Sequence, residues 1–148
     1  MDEIKKLRVV PFKKEHLSLL KLRDFELHRL EHIQQFPEVY EHGAGYSVFD
    51  NSGLIFCAGV IPYWKGVGEA WILCDVRVKH YIRELYFYTE LYLDKIIDRY
   101  KLWRVQSSVM ADYYAGHRFL ERMGFKKEGL MRKYDWQGKD YYLYARIK

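Results

Sequence analysis

The sequence predicts an α/β (α+β) fold in which helices flank a mixed, mostly antiparallel sheet with one parallel strand pair at its centre. Three observations support this prediction. Strand-like apolar runs separated by turn signals follow one another between residues 46 and 78. A helical pattern then separates them from a strand at residues 102–110, and a strand–helix–strand order implies a right-handed parallel crossover. Two more strand-like runs end the chain.

The size and composition are those of one globular domain. The chain has 148 residues, of which 49% are hydrophobic and 30% charged, so we expect a single domain over residues 1–148 with its own core. The N-terminus is charged, and no stretch approaches the roughly 20 apolar residues of a membrane span. We therefore expect a cytoplasmic protein without a membrane partner.

The charge and the aromatic content each allow two interpretations. A net charge of +5 favours an anionic partner, but the basic residues are scattered in short pairs, which is typical of a solvated surface and weighs against nucleic-acid binding. The aromatic fraction of 18% includes 14 tyrosines. Tyrosine suits surfaces that bind a protein partner, and core packing explains the fraction at least as well.

The cysteines and histidines do not predict a metal site. Cys57 and Cys74 lie in strand-like runs, and a hairpin turning near Lys65 would bring them face to face as reduced core residues. His28 and His32 share helical spacing but lack a nearby third ligand.

The first half of the chain predicts a strand, a long helical pattern and an antiparallel meander. The first strand is residues 7–12, and the helical pattern covers residues 13–36, with a possible break near Arg23. Turn signals then separate three strands at residues 46–50, 54–64 and 69–78. In the last of these strands, alternation places five side chains on one face: Ala70, Ile72, Cys74, Val76 and Val78.

The second half predicts two helices and three strands. Residues 79–100 carry an apolar stripe at helical spacing, formed by Ile82, Leu85, Thr89, Leu93 and Ile96. After the strand at residues 102–110, Asp112 is placed to cap a helix over residues 113–123, which Gly124 ends. Residues 125–134 and 140–147 are the closing strands.

The C-terminal part resembles the GCN5-related N-acetyltransferase (GNAT) superfamily. The motif Met123-Gly124-Phe125 at a helix end, followed by Glu128-Gly129 in a strand and by "GKDYYLYARI", is similar to the end of that fold. The match covers about residues 112–147, and upstream the order of elements agrees. The resemblance is closest to the acetyltransferase-like proteins of tailed phages, which implies the host cytoplasm or a virion as the location if the protein is phage-encoded.

The resemblance implies an acetyl-CoA site between two splayed parallel strands, here residues 69–78 and 102–110. The end of the first strand would hold the pantetheine arm through Val76, Arg77 and Val78. The pyrophosphate would lie at the start of the following helix, where the superfamily has a glycine turn. This sequence has no glycine between Gly68 and Gly116. Three basic residues could replace it or simply reach into solvent: Lys79, His80 and Arg83.

The resemblance also implies a proton donor and a base. The superfamily often has a tyrosine where this chain has Leu120, so Tyr113 or Tyr114 could act as the acid or serve in packing. Asp112 stands in place of a frequent asparagine, at a cofactor-binding position.

One residue is a candidate for the base, and the same residue could instead have a structural role. Asp75 would be the base or one half of a structural ion pair with Arg77. Ser107 could bind the acetyl or pantetheine group or end a strand.

Two functions follow. The first is transfer of an acetyl group from acetyl-CoA to the amine of a small molecule or protein. The alternative is a non-catalytic protein of the same fold, such as a phage virion or accessory protein that works through an aromatic contact surface.

Overall fold

The computed structural model describes residues 3–27 and 33–148, which form one seven-stranded sheet with helices on both faces. The strand order is β1-β2-β3-β4-β5-β7-β6. The strands are β1 (Arg8–Pro11), β2 (Ala44–Asp50), β3 (Gly53–Trp64), β4 (Val67–Cys74), β5 (Arg104–Met110), β6 (Lys126–Met131) and β7 (Tyr141–Ile147). Neighbouring strands are antiparallel except for β4 and β5, which are parallel. The predicted mixed sheet with a central parallel pair is confirmed.

Three α-helices and three short 3₁₀ helices have both ends within the described residues, and residues 33–35 are helical as well. The α-helices are α1 (Pro37–His42), α2 (Ile82–Tyr100) and α3 (Tyr114–Arg122). The 3₁₀ helices are Lys14–Leu19, Asp24–Glu26 and Val76–His80. Helix α2 makes the crossover from β4 to β5, as the sequence predicts.

The predicted helix over residues 13–36 is wrong in its first half. Residues Lys14–Leu19 and Asp24–Glu26 are 3₁₀ turns, and the chain between them is extended enough for Leu22 to bridge Asp75 at the end of β4. The apolar spacing there reflects core contact, since Leu17 and Leu20 are both buried. Part of the predicted helix, including His28 and His32, lies outside the described residues.

Strand β4 ends at Cys74, before the predicted end at Val78. Asp75 accepts a hydrogen bond from the Arg77 amide and caps the 3₁₀ helix that follows. Val76 therefore leaves the strand face on which alternation placed it, and its side chain is exposed.

The core has a layer on each face of the sheet. On one face, the N-terminal turns pack on Trp71 and Leu73. On the other face, α2 and α3 cover the alternate residues Ala70, Ile72 and Cys74. The register pairs Cys57 with Leu73, so the Cys57 and Cys74 thiols point to opposite faces. The prediction that they face each other is wrong, although both cysteines are buried and neither forms a disulfide within the described residues.

Of the two caps predicted for α3, the one at its C-terminal end is confirmed and the one at its N-terminal end is wrong. Gly124 has a φ of 92°, and the Phe125 amide donates to the Leu120 carbonyl across 3.0 Å, so the predicted glycine cap is confirmed. The prediction for Asp112 is wrong. A turn from Met110 to Tyr113 comes first, and Tyr113 is the N-cap, without a side-chain cap bond within the described residues.

None of the helices in the described residues is long and apolar enough to cross a membrane.

Candidate active site

The parallel strands β4 and β5 separate soon after they pair. Val67, Gly68 and Glu69 pair with residues 104–106, and beyond them the strands diverge. At this point the Ser107 hydroxyl donates a hydrogen bond of 3.2 Å to the Ala70 carbonyl oxygen. The separation opens a cavity of about 390 Å³ that reaches between α2 and α3. The splayed strand pair that the resemblance implies is therefore present.

The wall of this cavity is mostly apolar. Five residues of α2 that the sequence placed in one stripe line it: Ile82, Leu85, Thr89, Leu93 and Ile96. From α3, Gly116 and Phe119 contribute, and the Phe119 ring lies 5.0 Å from the Tyr86 ring of α2. The cavity therefore suits a long, largely apolar group with a few polar atoms.

A chain of polar contacts crosses the cavity from the end of β4 to the start of α3. The Cys74 amide donates to the Glu26 carboxylate across 3.4 Å. Arg23 Nε donates to the other Glu26 oxygen across 2.6 Å, and Arg23 Nη1 donates to Tyr113 Oη across 3.3 Å. All four of these residues line the cavity: Arg23, Glu26, Cys74 and Tyr113. A buried carboxylate and a phenol thus face the same space.

Burial sets the protonation state of the phenol. Removal from water is the largest influence on the pKa of Tyr113 and raises it, whereas the nearby Arg23 guanidinium acts in the opposite direction. The net pKa lies above the ordinary value of 10.0. Tyr113 therefore carries its proton at neutral pH and can donate it.

Asp75 lies outside the cavity wall. Its side chain is buried, one carboxylate oxygen accepts from the Lys21 amide across 2.8 Å, and the other accepts from the Arg77 amide across 3.0 Å. Arg77 Nε lies 3.5 Å from the same carboxylate. The arrangement is that of the structural ion pair, the second of the two roles that the sequence allows.

The guanidinium of Arg77 points to the β2–β3 turn. Arg77 Nη1 donates to Asp50 across 3.0 Å, and Nη2 donates to the Leu54 carbonyl across 3.2 Å. Asp50 also accepts from the Tyr81 phenol and from the Ser52 amide. This network fixes the turn between β4 and α2 and directs the Arg77 side chain away from the cavity.

Among the other predicted cofactor residues, Val78 is buried and lines the cavity, and Ser107 lines it as well. Exposed side chains are found at Lys79, His80, Arg83 and Asp112. Lys79 and His80 stand in the last turn of the 3₁₀ helix, and Arg83 in the first turn of α2, beside the cavity residue Ile82.

Tyr114, a predicted acid, points to a different groove. Its side chain is 68% exposed and lies with His117 and Tyr142 on the outer side of α3. The neighbouring Tyr113 is the tyrosine of this pair that lines the cavity.

Sequence reasoning missed Arg23, Glu26, Trp71 and Arg118, all of which line the cavity. Arg23 and Glu26 have helical spacing to each other, but nothing local places them at β4, which is 48 residues further along the chain.

The fold is similar to that of several solved acetyltransferase structures. An acetyltransferase of the GNAT family from Bacillus anthracis superposes with a TM-score of 0.72 at 16% identity, covering 98% of this chain and 96% of its own. A ribosomal-protein-S5-alanine acetyltransferase from Vibrio fischeri gives 0.69 at 16% identity, with 99% and 95% covered.

A spermidine N-acetyltransferase chimera from Vibrio cholerae and hSSAT gives 0.73 at 16% identity, with 97% and 96% covered. No protein-family model and no curated protein sequence matches the chain. The chain has the fold of the GNAT acetyltransferases over nearly its whole length.

Proposed function

We propose that the protein transfers an acetyl group from acetyl-CoA to an amine of a small molecule or protein. The observation that carries this proposal is the cavity between the separated strands β4 and β5, which joins the α2–α3 gap to a buried carboxylate and a phenol. The likeness to solved N-acetyltransferases supports it. The resemblance to phage proteins stays a prediction.

The cofactor side of the cavity would be formed by α2, α3 and the end of β4. Beyond Glu69, strand β4 has left its partner β5, so backbone groups there can pair with the amides of a pantetheine arm. The first amides of α2 and its positive dipole end would favour phosphate near Ile82. Lys79, His80 and Arg83 stand beside this helix start, and Arg118 lines the cavity from α3. Their positive charges would bind the pyrophosphate in place of the glycine turn, which this chain lacks.

Two residues would move protons. Acetyl-CoA supplies an acetyl thioester, on which the amine forms a C–N bond while the C–S bond breaks. Glu26 is placed to take the proton that the ammonium group must lose, because its carboxylate lines the cavity. Tyr113, whose phenol keeps its proton at neutral pH, is placed to protonate the departing thiolate. Arg23 bonds to both and fixes their separation.

The proposal is tested by the thermal stability of the protein with acetyl-CoA. A ligand at 100 times its Kd adds about 2.7 kcal/mol to the free energy of unfolding, which raises Tm measurably. Arg83→Glu, at the start of α2, should lose most of this shift. Arg99→Glu is the matched control, since it makes the same charge change at the far end of the same helix. No shift at millimolar acetyl-CoA would refute the proposal.

The alternative, a non-catalytic protein of this fold, has its own supporting observations. The Tyr86–Phe119 contact joins the two helices that flank the cavity, which a cofactor arm would have to pass. Three tryptophan side chains are also largely exposed: Trp64, Trp103 and Trp136. This alternative predicts no acetyl-CoA binding, so the same thermal measurement decides between the two functions.

A further inference from the structure

The indole of Trp71 carries a buried donor with an unmet hydrogen bond. Trp71 lines the cavity and is 7% exposed, and its Nε1–H has no hydrogen-bond partner within residues 3–27 and 33–148. We infer that this N–H donates a hydrogen bond to an oxygen atom of the amine substrate, which receives the acetyl group. This substrate would then carry a carbonyl or carboxylate oxygen near its amino group, as in an amino acid or a peptide N-terminus. This inference rests on the proposed function.

Packing holds the Trp71 ring in one orientation. The rings of Phe12 and Tyr40 meet it edge-on, at centroid distances of 5.0 and 5.3 Å. A Cβ atom added to Gly45 would lie 3.5 Å from the Cζ2 atom of Trp71, so the backbone of Gly45 also lies against the ring. The indole therefore cannot turn its N–H toward solvent without disrupting three neighbours.

A buried donor that neither water nor a ligand satisfies costs free energy. The cost is about 1–3 kcal/mol, and native proteins leave few such groups without a reason. A ligand oxygen that accepts this bond avoids the cost on binding. A ligand without such an oxygen leaves the N–H unmet and also excludes water from it, so the site discriminates against it.

The charges of the cavity wall indicate the same class of acceptor. Among the described residues that line it, the charged side chains are Arg23, Arg118 and Glu26, so their sum is positive. The single carboxylate is already paired with Arg23 at 2.6 Å. A polyamine would bring several positive charges and no oxygen to this wall. An amine with one positive charge and an adjacent oxygen fits both features.

The oxygen could belong to either substrate, since a thioester carbonyl is also an acceptor of this kind. We assign it to the amine substrate because of the face on which Trp71 lies. Its indole packs with Leu17 and Leu20 of the N-terminal turns, the segment that also supplies Glu26. The helices α2 and α3, which would flank the cofactor, pack on the opposite face of the sheet.

The indole N–H signals in a ¹H–¹⁵N spectrum test this assignment directly. The chain has four tryptophans, and the signal that Trp71→Phe removes is that of Trp71. The protein would be titrated with alaninamide, propylamine, spermidine and acetyl-CoA. The amines would be added with and without coenzyme A, which lacks the thioester oxygen. Alaninamide should move the Trp71 signal downfield and slow its exchange with water, whereas propylamine and spermidine should do neither.

Two outcomes would overturn the inference. A Trp71 signal that acetyl-CoA alone moves as strongly as alaninamide does would assign the oxygen to the thioester. A Trp71 signal unmoved by every oxygen-bearing amine would remove the site. A moved signal in a protein that shows no thermal shift with acetyl-CoA would refute the proposed transfer and keep the amine site, so the two failures are distinguishable.

Kinetics give an independent check. Trp71→Phe keeps a ring between Phe12 and Tyr40 and removes the N–H. The preference for alaninamide over propylamine in kcat/KM should fall about tenfold, in line with the loss of one hydrogen bond to a buried donor. Trp103→Phe, at a side chain that is 50% exposed, should leave the preference unchanged. An unchanged preference in Trp71→Phe would overturn the inference.

Discussion

Gly116 of α3 lies so close to Val109 of β5 that a Cβ atom on the glycine would stand 2.5 Å from the Val109 Cγ2 atom. The same Cβ would stand 2.7 Å from Cδ2 of Tyr113. The missing side chain therefore sets the distance between α3 and β5. All three residues line the cavity, so this distance also sets the width of the cavity and the position of the Tyr113 phenol.

Gly116→Ala should destabilise the protein and weaken acetyl-CoA binding. In an open helix, alanine would be favoured by about 1 kcal/mol, but overpacking costs about 1–3 kcal/mol, so we expect a net loss of about 1 kcal/mol. Urea denaturation measures the stability and calorimetry the affinity. Gly129→Ala is the control, since a Cβ there meets no heavy atom of the described residues within 4 Å. A Gly116→Ala protein more stable than the wild type would contradict this explanation.

Asp75→Ala should damage stability more than chemistry. The change leaves the Lys21 amide without its carboxylate partner and removes the cap of the 3₁₀ helix after β4. We expect a loss of about 2–4 kcal/mol in the free energy of unfolding, from denaturant titration. Asp112→Ala, at an exposed side chain that caps no helix in the described residues, should change it by less than about 0.5 kcal/mol.

A catalytic Asp75 would behave differently. If Asp75→Ala keeps wild-type stability and abolishes acetyl transfer, the base assignment returns to Asp75 and leaves Glu26.

The fold could be predicted from the sequence largely because its evidence is local. Alternation along β3 and β4, the apolar stripe of α2 and the Gly124 cap are each contained in one short segment. The helix prediction for the N-terminal segment was wrong because its conformation depends on a contact far away in the sequence. Leu17 and Leu20 have helical spacing, but the bridge between Leu22 and Asp75 holds the chain extended.

The chemistry of the site depends on contacts over long sequence distances. Glu26 reaches the Cys74 amide, and Arg23 reaches Tyr113 from 90 residues away. No local pattern encodes these pairs, because they depend on how the N-terminal turns lie against the ends of β4 and β5. The sequence could narrow the proton donor to Tyr113 or Tyr114 but could not show which of them faces the cavity.

Tyr81→Phe should make the protein less stable at neutral pH and leave this difference smaller in acid. The hydrogen bond from Tyr81 is the largest influence on the pKa of Asp50, which falls from 3.8 to about 2, with Ser52 and Arg77 acting in the same direction. A lowered pKa adds stability that is present above about pH 4 and is lost as the pH falls through 2. Because Asp50 lies at a surface turn, we expect about 1 kcal/mol after solvent screening.

The measurement is the urea midpoint of both proteins between pH 7 and pH 2. Tyr134→Phe, at an exposed ring, is the control and should show no change of this kind with pH. A gap between wild type and Tyr81→Phe that stays constant down to pH 2 would show that the Asp50–Tyr81 bond does not produce the shift.

Tyr113→Phe should slow acetyl transfer without weakening acetyl-CoA binding. Loss of a general acid lowers kcat by about 100-fold, because the thiolate must leave unprotonated or take its proton from water. The neighbouring Tyr114→Phe makes the same atomic change on a side chain that is 68% exposed and outside the cavity, so its kcat should equal that of the wild type. Release of coenzyme A, followed with a thiol reagent, gives both rates. Burial raises the pKa of Tyr113 above 10.0, and the acid must be protonated to act. Wild-type activity should therefore not decline through loss of this proton until the pH exceeds 10. Equal rates for the two variants would remove Tyr113 from the chemistry.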